Sequence, residues 1–393
     1  MKEIYLDHAA TTPIDPEVKR EMDVYLTSEY GNPGSFNSIG LRAKEAVDNA
    51  RSRVAKILNS SSDEIIFTAT GTESINLAIL GLAKSMKGKH IITTRIEHHA
   101  VLDTCEYMES EGYEVTYLDV DRYGMPDLNL LKKVIRKDTI LISMMYANNE
   151  IGTILPIREI GRIAKANNII FHTDACQAGC SQDIDVKALG VDMMTLNGSK
   201  IYGPKGIGIL YRRKGISLQP VVYGGGQEFG LRSGTENVPG IVGFARALEL
   251  VQKNKEKENK RLIKLRDKLI KGLLKIPDTI LNGHPTERLP NSANITFLNI
   301  EGEAMMMYLN EEGICASSGS ACTSKSLDPS HVILATGMPY EAAHGSLRFT
   351  LGHSNSEEDI DKVISVMPEI VKRLRLLSPV KLKMEDVIGG LKR

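Results

Sequence analysis

A lysine and an aspartate stand where covalent cofactor chemistry would need them. Asp174 follows the run Ile169–Thr173, and Lys200 follows the run Asp192–Leu196 and precedes a Gly/Pro turn. Both runs predict strands, and ligands of doubly wound sheets bind at the carboxyl ends of strands. A lysine there suits a Schiff base, and an aspartate suits the pyridine nitrogen of pyridoxal phosphate. The alternative is a surface lysine and a helix-capping aspartate.

A third strand end carries residues suited to a phosphate. The segment Ala69–Glu73 follows the predicted strand Ile65–Thr68 and begins a helix. Its N–H groups and the Thr72 hydroxyl would form a phosphate cradle that the helix dipole supports. The alternative is a capping box from Thr70 to Glu73, and both roles are possible at one helix terminus.

Two further strand ends carry polar side chains. His98 follows the predicted strand His90–Thr94 and would stack on a cofactor ring and move protons. Asn148 and Asn149 follow the predicted strand Thr139–Met145 and are able to donate to a ring oxygen. The convergence of these strand ends predicts one planar, aromatic, phosphorylated ligand.

Cys322 lies in a segment of small and polar residues, Ala316–Ser330. Such a composition indicates an exposed loop. A free cysteine usually packs in a core, so a thiol in this setting indicates reactivity. The other cysteines are Cys105, Cys176, Cys180 and Cys315. Their spacing predicts neither a disulfide framework nor a zinc site, which favours a reducing compartment.

Bulk composition excludes several classes of protein. The 393 residues include 49 basic and 49 acidic side chains, so no net charge attracts nucleic acid or a membrane surface. The N-terminus shows no signal-peptide pattern, and no apolar run is long enough to span a bilayer. We therefore expect a soluble cytoplasmic protein without direct nucleic-acid or membrane partners.

Short β-branched runs alternate with amphipathic helical patterns, which predicts an α/β fold with a mostly parallel sheet covered on both faces. The remaining large-domain strands are predicted at Glu114–Leu118 and Ile207–Tyr211. Helical patterns lie between the strands: Glu73–Met86, Val101–Gly112, Asp127–Arg136 and Arg158–Asn167. A charged linking helix is predicted from Val238 through Lys275, with a solvated face. A smaller α+β unit follows, with strands near Ala293–Leu298 and Ser346–Thr350 and a last long helix at about Ser356–Leu374.

Motifs along nearly the whole chain give a more specific picture. They are Tyr5–Pro13, Gly31–Pro33, Glu97–Cys105, Asn148–Gly152, Thr173–Gln177, Ser199–Gly206, Gly224–Glu228, Arg232–Asn237, Ser317–Ser324 and Leu347–Gly352. In these the chain resembles the cysteine desulfurases, pyridoxal-phosphate enzymes of fold-type I in the class V aminotransferase group. The resemblance implies a large cofactor domain at residues 15–260. It also implies a small domain at residues 1–14 and 261–393, which carries the cysteine loop at about residues 316–330.

The resemblance also assigns roles around the cofactor ring. Lys200 would hold the cofactor covalently, and Asp174 would pair with the pyridine nitrogen. Gln177 and Asn149 would contact the ring oxygen, and His98 would stack on the ring and assist proton transfer.

The resemblance also implies which residues contact the phosphate and the substrate. The residues implied around the phosphate are Gly71, Thr72, Asn197, Ser199 and, from the partner subunit of a homodimer, Thr235. Arg348 would bind the substrate carboxylate, where a guanidinium suits a bidentate contact, and Asn149 would help bind substrate.

The implied reaction converts L-cysteine to L-alanine. Cys322 would take the sulfur as a persulfide and deliver it to an iron–sulfur scaffold protein, and transfer-RNA thiolation is a further acceptor pathway. The Cys322 persulfide could also serve as a transient iron–sulfur ligand. The alternatives are a selenocysteine lyase or class V aminotransferase that uses the same cofactor, and a non-catalytic sulfur-transfer scaffold.

Three positions depart from the usual pattern of these enzymes. Ser199 replaces a common histidine, Asn197 a common serine, and Asn37 a histidine after the Gly-Asn-Pro segment. A neutral contact therefore replaces a possible charged contact to the phosphate. The tail Val380–Arg393 either docks a scaffold protein or is a frayed terminus.

Overall fold

A computed structural model describes residues 3–318 and 328–391 of the chain. The strands within that part are β1 (Ile4–Tyr5), β2 (Ile65–Thr68), β3 (His90–Thr94), β4 (Glu114–Leu118), β5 (Thr139–Ser143), β6 (Ile170–Asp174), β7 (Met193–Asn197), β8 (Gly208–Arg212), β9 (Thr279–Asn282), β10 (Ser292–Phe297), β11 (Ile314–Cys315), β12 (Ser317–Ser318) and β13 (Ser346–Thr350). The helices are α1 (Pro16–Thr27), α2 (Ser38–Leu58), α3 (Gly71–Ala83), α4 (His99–Ser110), α5 (Leu128–Val134), α6 (Ile157–Ala166), α7 (Val186–Leu189), α8 (Val238–Leu273), α9 (Gly302–Glu311), α10 (His331–Ala335), α11 (Tyr340–Ala343), α12 (Glu357–Leu377) and α13 (Met384–Leu391).

The larger sheet has seven strands in the order β2-β8-β7-β6-β5-β3-β4. Only β8 runs antiparallel to its neighbours in this sheet. The predicted mostly parallel α/β sheet is therefore confirmed. Each strand lies within two residues of its predicted position. The largest difference is at β5, which ends at Ser143 although Met144 and Tyr146 still donate backbone hydrogen bonds to β6.

Helices cover both faces of this sheet because each presents an apolar stripe. In α6, Ile157, Ile160 and Ile163 recur at helical spacing and are buried. The strands between the helices read as continuous apolar runs, since both of their faces are covered. Two apolar clusters result, one on each side of the sheet, and the larger one contains Phe171 and Phe244.

Helix α8 joins the two apolar regions of the molecule. Its first half, up to Val251, is buried in the larger cluster around the seven-stranded sheet. Its last turns, from Leu262 to Leu273, are buried in a separate cluster around the second sheet. Most side chains of its middle stretch, residues 253–261, are exposed or half-buried, as the predicted solvated face requires.

The second sheet is antiparallel, with the strand order β12-β13-β10-β9. A two-stranded parallel pair of β1 and β11 ties the N-terminus to this part of the fold. Cys315 lies on β11, the predicted small-domain strand. The domain boundaries at residues 14/15 and 260/261 stay a prediction.

The C-terminal tail packs against the rest of its own chain. Val387 is 1% exposed within the larger apolar cluster, and Leu382 and Met384 pack against the same cluster. Asn299 accepts a hydrogen bond from the Leu382 N–H at 2.6 Å and donates one to the Leu382 carbonyl at 3.1 Å. A frayed terminus therefore does not describe residues 382–389.

Candidate active site

A cavity of about 340 Å³ opens at the carboxyl edge of the seven-stranded sheet. That volume lies in the range of small-molecule sites. The predicted site residues among its lining are Gly71, Thr72, His98, Asn149, Asp174, Gln177, Asn197, Lys200 and Arg348. Their convergence follows from the topology, because neighbouring parallel strands end at the same edge.

Asp174 ends β6 and is 8% exposed. The backbone N–H of Cys176 donates to its Oδ1 atom at 2.9 Å, which fixes the carboxylate. Beside it, Gln177 donates from Nε2 to the Ala9 carbonyl at 3.0 Å. The carboxylate is therefore held at the cavity wall, where it can accept a hydrogen bond from a protonated ring nitrogen.

Lys200 follows β7 on a short 3-10 turn, Gly198–Lys200. Its Nζ atom donates to the carbonyl of Ala10, in the N-terminal segment that crosses the site. A second bond joins the same two segments, from the Thr12 hydroxyl to the Ser199 carbonyl at 3.1 Å. The amine is thus oriented by backbone from a distant part of the chain.

The N-terminus of α3 forms another wall of the cavity. Thr70 caps this helix by accepting from the Glu73 N–H at 3.1 Å, which is one half of the predicted capping box. The other half is absent, because the Glu73 carboxylate accepts from the Ala69 N–H at 3.0 Å instead of the Thr70 N–H. Gly71 and Thr72 follow in the first turn and line the cavity. A Cβ atom at Gly71 would lie 2.9 Å from Cys176 Sγ, so a larger residue there would displace the Cys176 side chain. The capped terminus also faces the cavity, where its free N–H groups could hold an anion.

His98 caps α4, and its Nδ1 atom accepts from the Ala100 N–H at 3.0 Å. The proton of the neutral ring therefore resides on Nε2. Burial lowers the pKa of His98, with the Asp174 charge opposing that shift, so the neutral ring is favoured at neutral pH.

Glu97 immediately precedes His98, and its carboxyl group is fully buried. Its Oε1 atom accepts from the Thr94 hydroxyl at 2.7 Å and from the Met145 N–H at 3.0 Å. Burial raises the pKa of Glu97 to about 8. Since that value exceeds 7, this carboxyl group is mostly protonated at neutral pH.

A tight turn after β5 presents Asn149 to the cavity. The side chain of Asn148 builds this turn: its Oδ1 atom accepts from the Glu150 and Ile151 N–H groups at 2.9 and 3.0 Å. Its Nδ2 atom donates to the Ile96 carbonyl at 2.8 Å. Asn148 is fully buried and does not line the cavity, so the predicted ring-oxygen contact is left to Asn149.

Arg348 lies on β13 of the second sheet and reaches the cavity with 3% exposure. Its Nη2 atom donates to Asp7 Oδ1 at 2.7 Å, and its Nη1 atom donates to the Asn149 carbonyl at 3.1 Å. Its Nε atom is buried without a partner among the described residues. A substrate carboxylate would provide the acceptors that such a guanidinium lacks.

Two predicted site residues lie outside the lining of the cavity, and a third falls in the part of the chain that the structure does not describe. Ser199 does not line the cavity, and its hydroxyl donates to Asn197 Oδ1 at 3.2 Å. Thr235 is exposed and does not line the cavity, and its predicted contact needs a second subunit. Cys322, with its predicted iron–sulfur ligation, lies outside the described residues.

Two of the residues that depart from the usual family pattern, Asn197 and Asn37, form local hydrogen bonds. Asn197 lines the cavity while its Oδ1 atom accepts from the Ser199 N–H at 3.1 Å. Asn37 caps α2 by accepting from the Gly40 N–H at 2.9 Å. Across residues 3–318 and 328–391, no group of three or more His, Cys, Asp or Glu side chains could hold a metal ion.

Sequence reasoning missed the N-terminal segment as part of the site. Ala9 and Ala10 line the cavity, and Asp7 pairs with Arg348. Cys176 also lines it, with a pKa raised well above the usual value by burial, which makes this thiol a poor nucleophile. The Tyr5–Pro13 motif was the available signal, but which strands it would cross depends on tertiary structure.

Comparison with known proteins decides the family. Residues 4–363 match the family "Aminotransferase class-V". The cysteine desulfurase IscS of Methanosarcina thermophila is 56% identical over 380 residues, which cover 96% of this chain and 94% of that protein. The chain belongs to the cysteine desulfurases of the class-V aminotransferase family. The predicted family and fold are therefore confirmed.

Further relatives agree with this membership. The cysteine desulfurase IscS of Clostridium botulinum strain Hall is 50% identical over 383 residues and 96% of each chain. A solved structure described as a NifS-like protein superimposes with a TM-score of 0.90 at 39% identity, covering 95% of this chain and all of that one. Enzymes of this family depend on pyridoxal phosphate, and so does this cysteine desulfurase.

The cavity fits that cofactor by the chemistry of its walls. The α3 N-terminus offers a cradle for an anionic phosphate, and Asp174 offers an acceptor for a protonated ring nitrogen. Lys200, which lines the same cavity, supplies the amine that an aldehyde requires. None of the helices in the described part of the chain is long and apolar enough to cross a bilayer.

Proposed function

We propose that this cysteine desulfurase removes sulfur from L-cysteine at the cavity on the carboxyl edge of the large sheet. Cys322 receives the sulfur and L-alanine is released. The observation that carries the proposal is the convergence of Lys200, Asp174 and Arg348 on one cavity. Bound pyridoxal phosphate supplies an electron sink that makes the substrate Cα proton acidic and the Cβ–S bond labile.

The chain's own residues would hold the cofactor at two ends. Gly71, Thr72 and Asn197 bind the phosphate, with Ser199 supporting Asn197 through its hydroxyl. Asp174 keeps the ring nitrogen protonated, and Gln177 and Asn149 contact the ring oxygen. A neutral His98 lies against the ring, because a cationic imidazole would disfavour the protonated pyridine.

Arg348 binds the carboxylate of L-cysteine. Its guanidinium is already oriented by Asp7 and by the Asn149 carbonyl, so little side-chain entropy is lost on binding. Arg348 thereby holds the substrate in the cavity that Lys200 also lines. Lys200 Nζ then takes the Cα proton, and His98 Nε2 carries protons to and from the site.

Sulfur transfer needs no external oxidant. The Cys322 thiolate attacks the sulfur of the substrate, an S–S bond forms, and the Cβ–S bond breaks. Its electron pair and a proton remain with the three-carbon product, which leaves as L-alanine. The enzyme retains the sulfur as a Cys322 persulfide, from which an acceptor thiol removes it.

Two assignments extend to partners. Thr235 contacts the cofactor phosphate of a partner subunit in a homodimer, which agrees with its exposure and its absence from the lining of its own cavity. The sulfur acceptor is an iron–sulfur scaffold protein, and transfer-RNA thiolation is a second outlet for the same persulfide. A Cys322-bound sulfur serves there as a transient cluster ligand.

The test supplies L-cysteine and dithiothreitol and measures alanine and sulfide. Wild type should release equimolar alanine and sulfide. Cys322→Ala should release less than about 1% of the wild-type sulfide, since removing a catalytic nucleophile costs several orders of magnitude. Lys200→Ala should lose the visible absorbance of the lysine-bound cofactor.

Cys315→Ala is the matched control, because that thiol lies on β11 and does not line the cavity. It should keep wild-type activity. Sulfide release by Cys322→Ala at the wild-type rate would refute the nucleophile assignment, and retained absorbance in Lys200→Ala would refute the cofactor assignment.

A further inference from the structure

Ser330 and His331, which follow the Cys322 segment, form hydrogen bonds to residues next to the cavity. Ser330 is 4% exposed and donates from its hydroxyl to the carboxylate of Glu150. The same hydroxyl accepts from the Ile333 N–H at 3.2 Å and so caps α10. Glu150 is 5% exposed and immediately follows Asn149, which lines the cavity.

The next residue, His331, forms a second hydrogen bond of this kind. His331 contacts the Glu97 carbonyl through Nε2 at 2.9 Å, and since a carbonyl only accepts, Nε2 carries the proton. Burial lowers the pKa of His331, which keeps the ring neutral. Glu97 immediately precedes His98, so Ser330 and His331 are each bonded to a neighbour of a cavity residue.

The turn that carries Glu150 is rigid. Gly152 closes it at a φ of +76°, and a Cβ there would lie 2.7 Å from Ser292 Oγ. The Asn294 amide donates to the Glu150 carbonyl at 3.1 Å, which joins the turn to β10. The position of Glu150, which accepts the hydrogen bond from Ser330, is therefore fixed relative to both sheets.

The other side of the segment is fixed near the same place. Ser317 of β12 is in register with Arg348 of β13. Arg348 in turn donates to the Asn149 carbonyl, one residue from Glu150. Both flanks of the Cys322 segment are therefore attached to the surroundings of one arginine.

We propose that Glu150 and His331 are positioning residues for Cys322, acting through the backbone of residues 330 and 331. The inference rests on the proposed function, since it concerns how Cys322 is delivered to the substrate sulfur. Cys322 is an intramolecular nucleophile, so its rate depends on its effective concentration at the cavity. Releasing an attachment point lets the chain sample more volume and lowers that concentration.

The experiment follows a single turnover of the cofactor-loaded enzyme. Enzyme is mixed with one equivalent of L-cysteine, quenched with an alkylating agent, and assayed by mass spectrometry for the Cys322 persulfide. The change in cofactor absorbance on cysteine binding is recorded in parallel. We expect Glu150→Ala and His331→Ala to form persulfide about tenfold more slowly, as the loss of one buried hydrogen bond would allow. Cysteine-induced absorbance changes should stay within about twofold of wild type.

Conservative and control variants separate positioning from folding. Glu150→Gln keeps an oxygen that accepts from Ser330 and should restore persulfide formation to within about threefold of wild type. Glu64→Ala removes another buried glutamate, which accepts from the Ser61 and Lys214 N–H groups, and should leave the persulfide rate unchanged. In a double-mutant cycle, the effects of Glu150→Ala and Ser330→Ala on the rate of persulfide formation should be non-additive, because both substitutions remove the same hydrogen bond.

The inference is overturned if wild type forms persulfide and Glu150→Ala and His331→Ala match its rate. A Glu150→Gln variant as slow as Glu150→Ala, or an additive cycle, overturns it as well. If wild type itself forms no persulfide from L-cysteine, the proposed function fails, and the inference fails with it.

Discussion

At the scale of single residues, Arg348 shows how the site prepares a charged group for a ligand. A buried guanidinium is costly unless it is paired, and the Asp7 carboxylate at 2.7 Å supplies that partner. The pair fixes the fork of the guanidinium while leaving Nε without a protein acceptor among the described residues. Lysine would retain the charge but lose this planar geometry.

We therefore expect Arg348→Lys to raise the KM for L-cysteine by about 10- to 100-fold, the cost of about 1.4 to 2.8 kcal/mol of binding. Cofactor absorbance without substrate should be unchanged. Steady-state alanine formation measures the effect. Arg288→Lys is the control, since Arg288 is equally buried at 3% exposure and donates to the Ile151 carbonyl rather than to the cavity. An equal rise in KM in both variants would contradict the substrate role of Arg348.

At the scale of elements, the strand ends determine both the position and the protonation of site groups. The turn after β3 places Glu97 in the interior, where its Oε2 atom has no partner among the described residues. Desolvation then raises the pKa of Glu97 to about 8. A carboxyl group that folds in its neutral form makes stability depend on pH.

The sign of that dependence is fixed by the raised pKa. Between about pH 4.5 and pH 8 the unfolded chain loses this proton while the folded protein keeps it, so the wild-type free energy of unfolding falls as pH rises. Glu97→Gln removes this contribution. Its free energy of unfolding relative to wild type should rise with pH by up to about 1.4 kcal/mol per unit.

Denaturant unfolding of both proteins at several pH values between 5 and 8 measures this difference. Thr104→Val, on the adjacent helix α4, removes a buried non-titrating hydroxyl that donates to the Ala100 carbonyl at 2.7 Å. Its offset from wild type should be the same at every pH. A constant offset for Glu97→Gln as well would show that Glu97 ionises normally in the folded protein.

At the scale of the whole molecule, the site is assembled from parts of the chain that are far apart in sequence. Asp7, Lys200 and Arg348 meet because the N-terminal segment crosses from the second sheet to the first. The C-terminal tail also packs against the rest of the chain, since Val387 belongs to the larger apolar cluster, which also contains Val332 of α10.

Val387→Asp should release the tail, because an unpaired charge at a site with 1% exposure costs several kcal/mol. Hydrogen–deuterium exchange should show faster exchange across residues 382–389 in this variant. Ile388→Asp is the matched control, since Ile388 is 36% exposed and its substitution should leave exchange near wild type. Unchanged protection in Val387→Asp would mean that the tail does not depend on this contact.

Sequence alone determined the fold class and most of the cavity wall. Strands rich in β-branched residues, each followed by a polar group, place Asp174, His98 and Lys200 at one sheet edge, because parallel strands share that edge. Local signals also sufficed for the Thr70 cap of α3, whose donor and acceptor are three residues apart.

Only the tertiary structure decided what lies between distant segments. Sequence could not separate Asn148, which builds the turn, from Asn149, which faces the cavity, because both are amides after the same strand. It could not show that Asp7 pairs with Arg348, that Glu97 is buried, or that Glu150 fastens Ser330. These properties arise from desolvation and from contacts across more than a hundred residues, which no local pattern records.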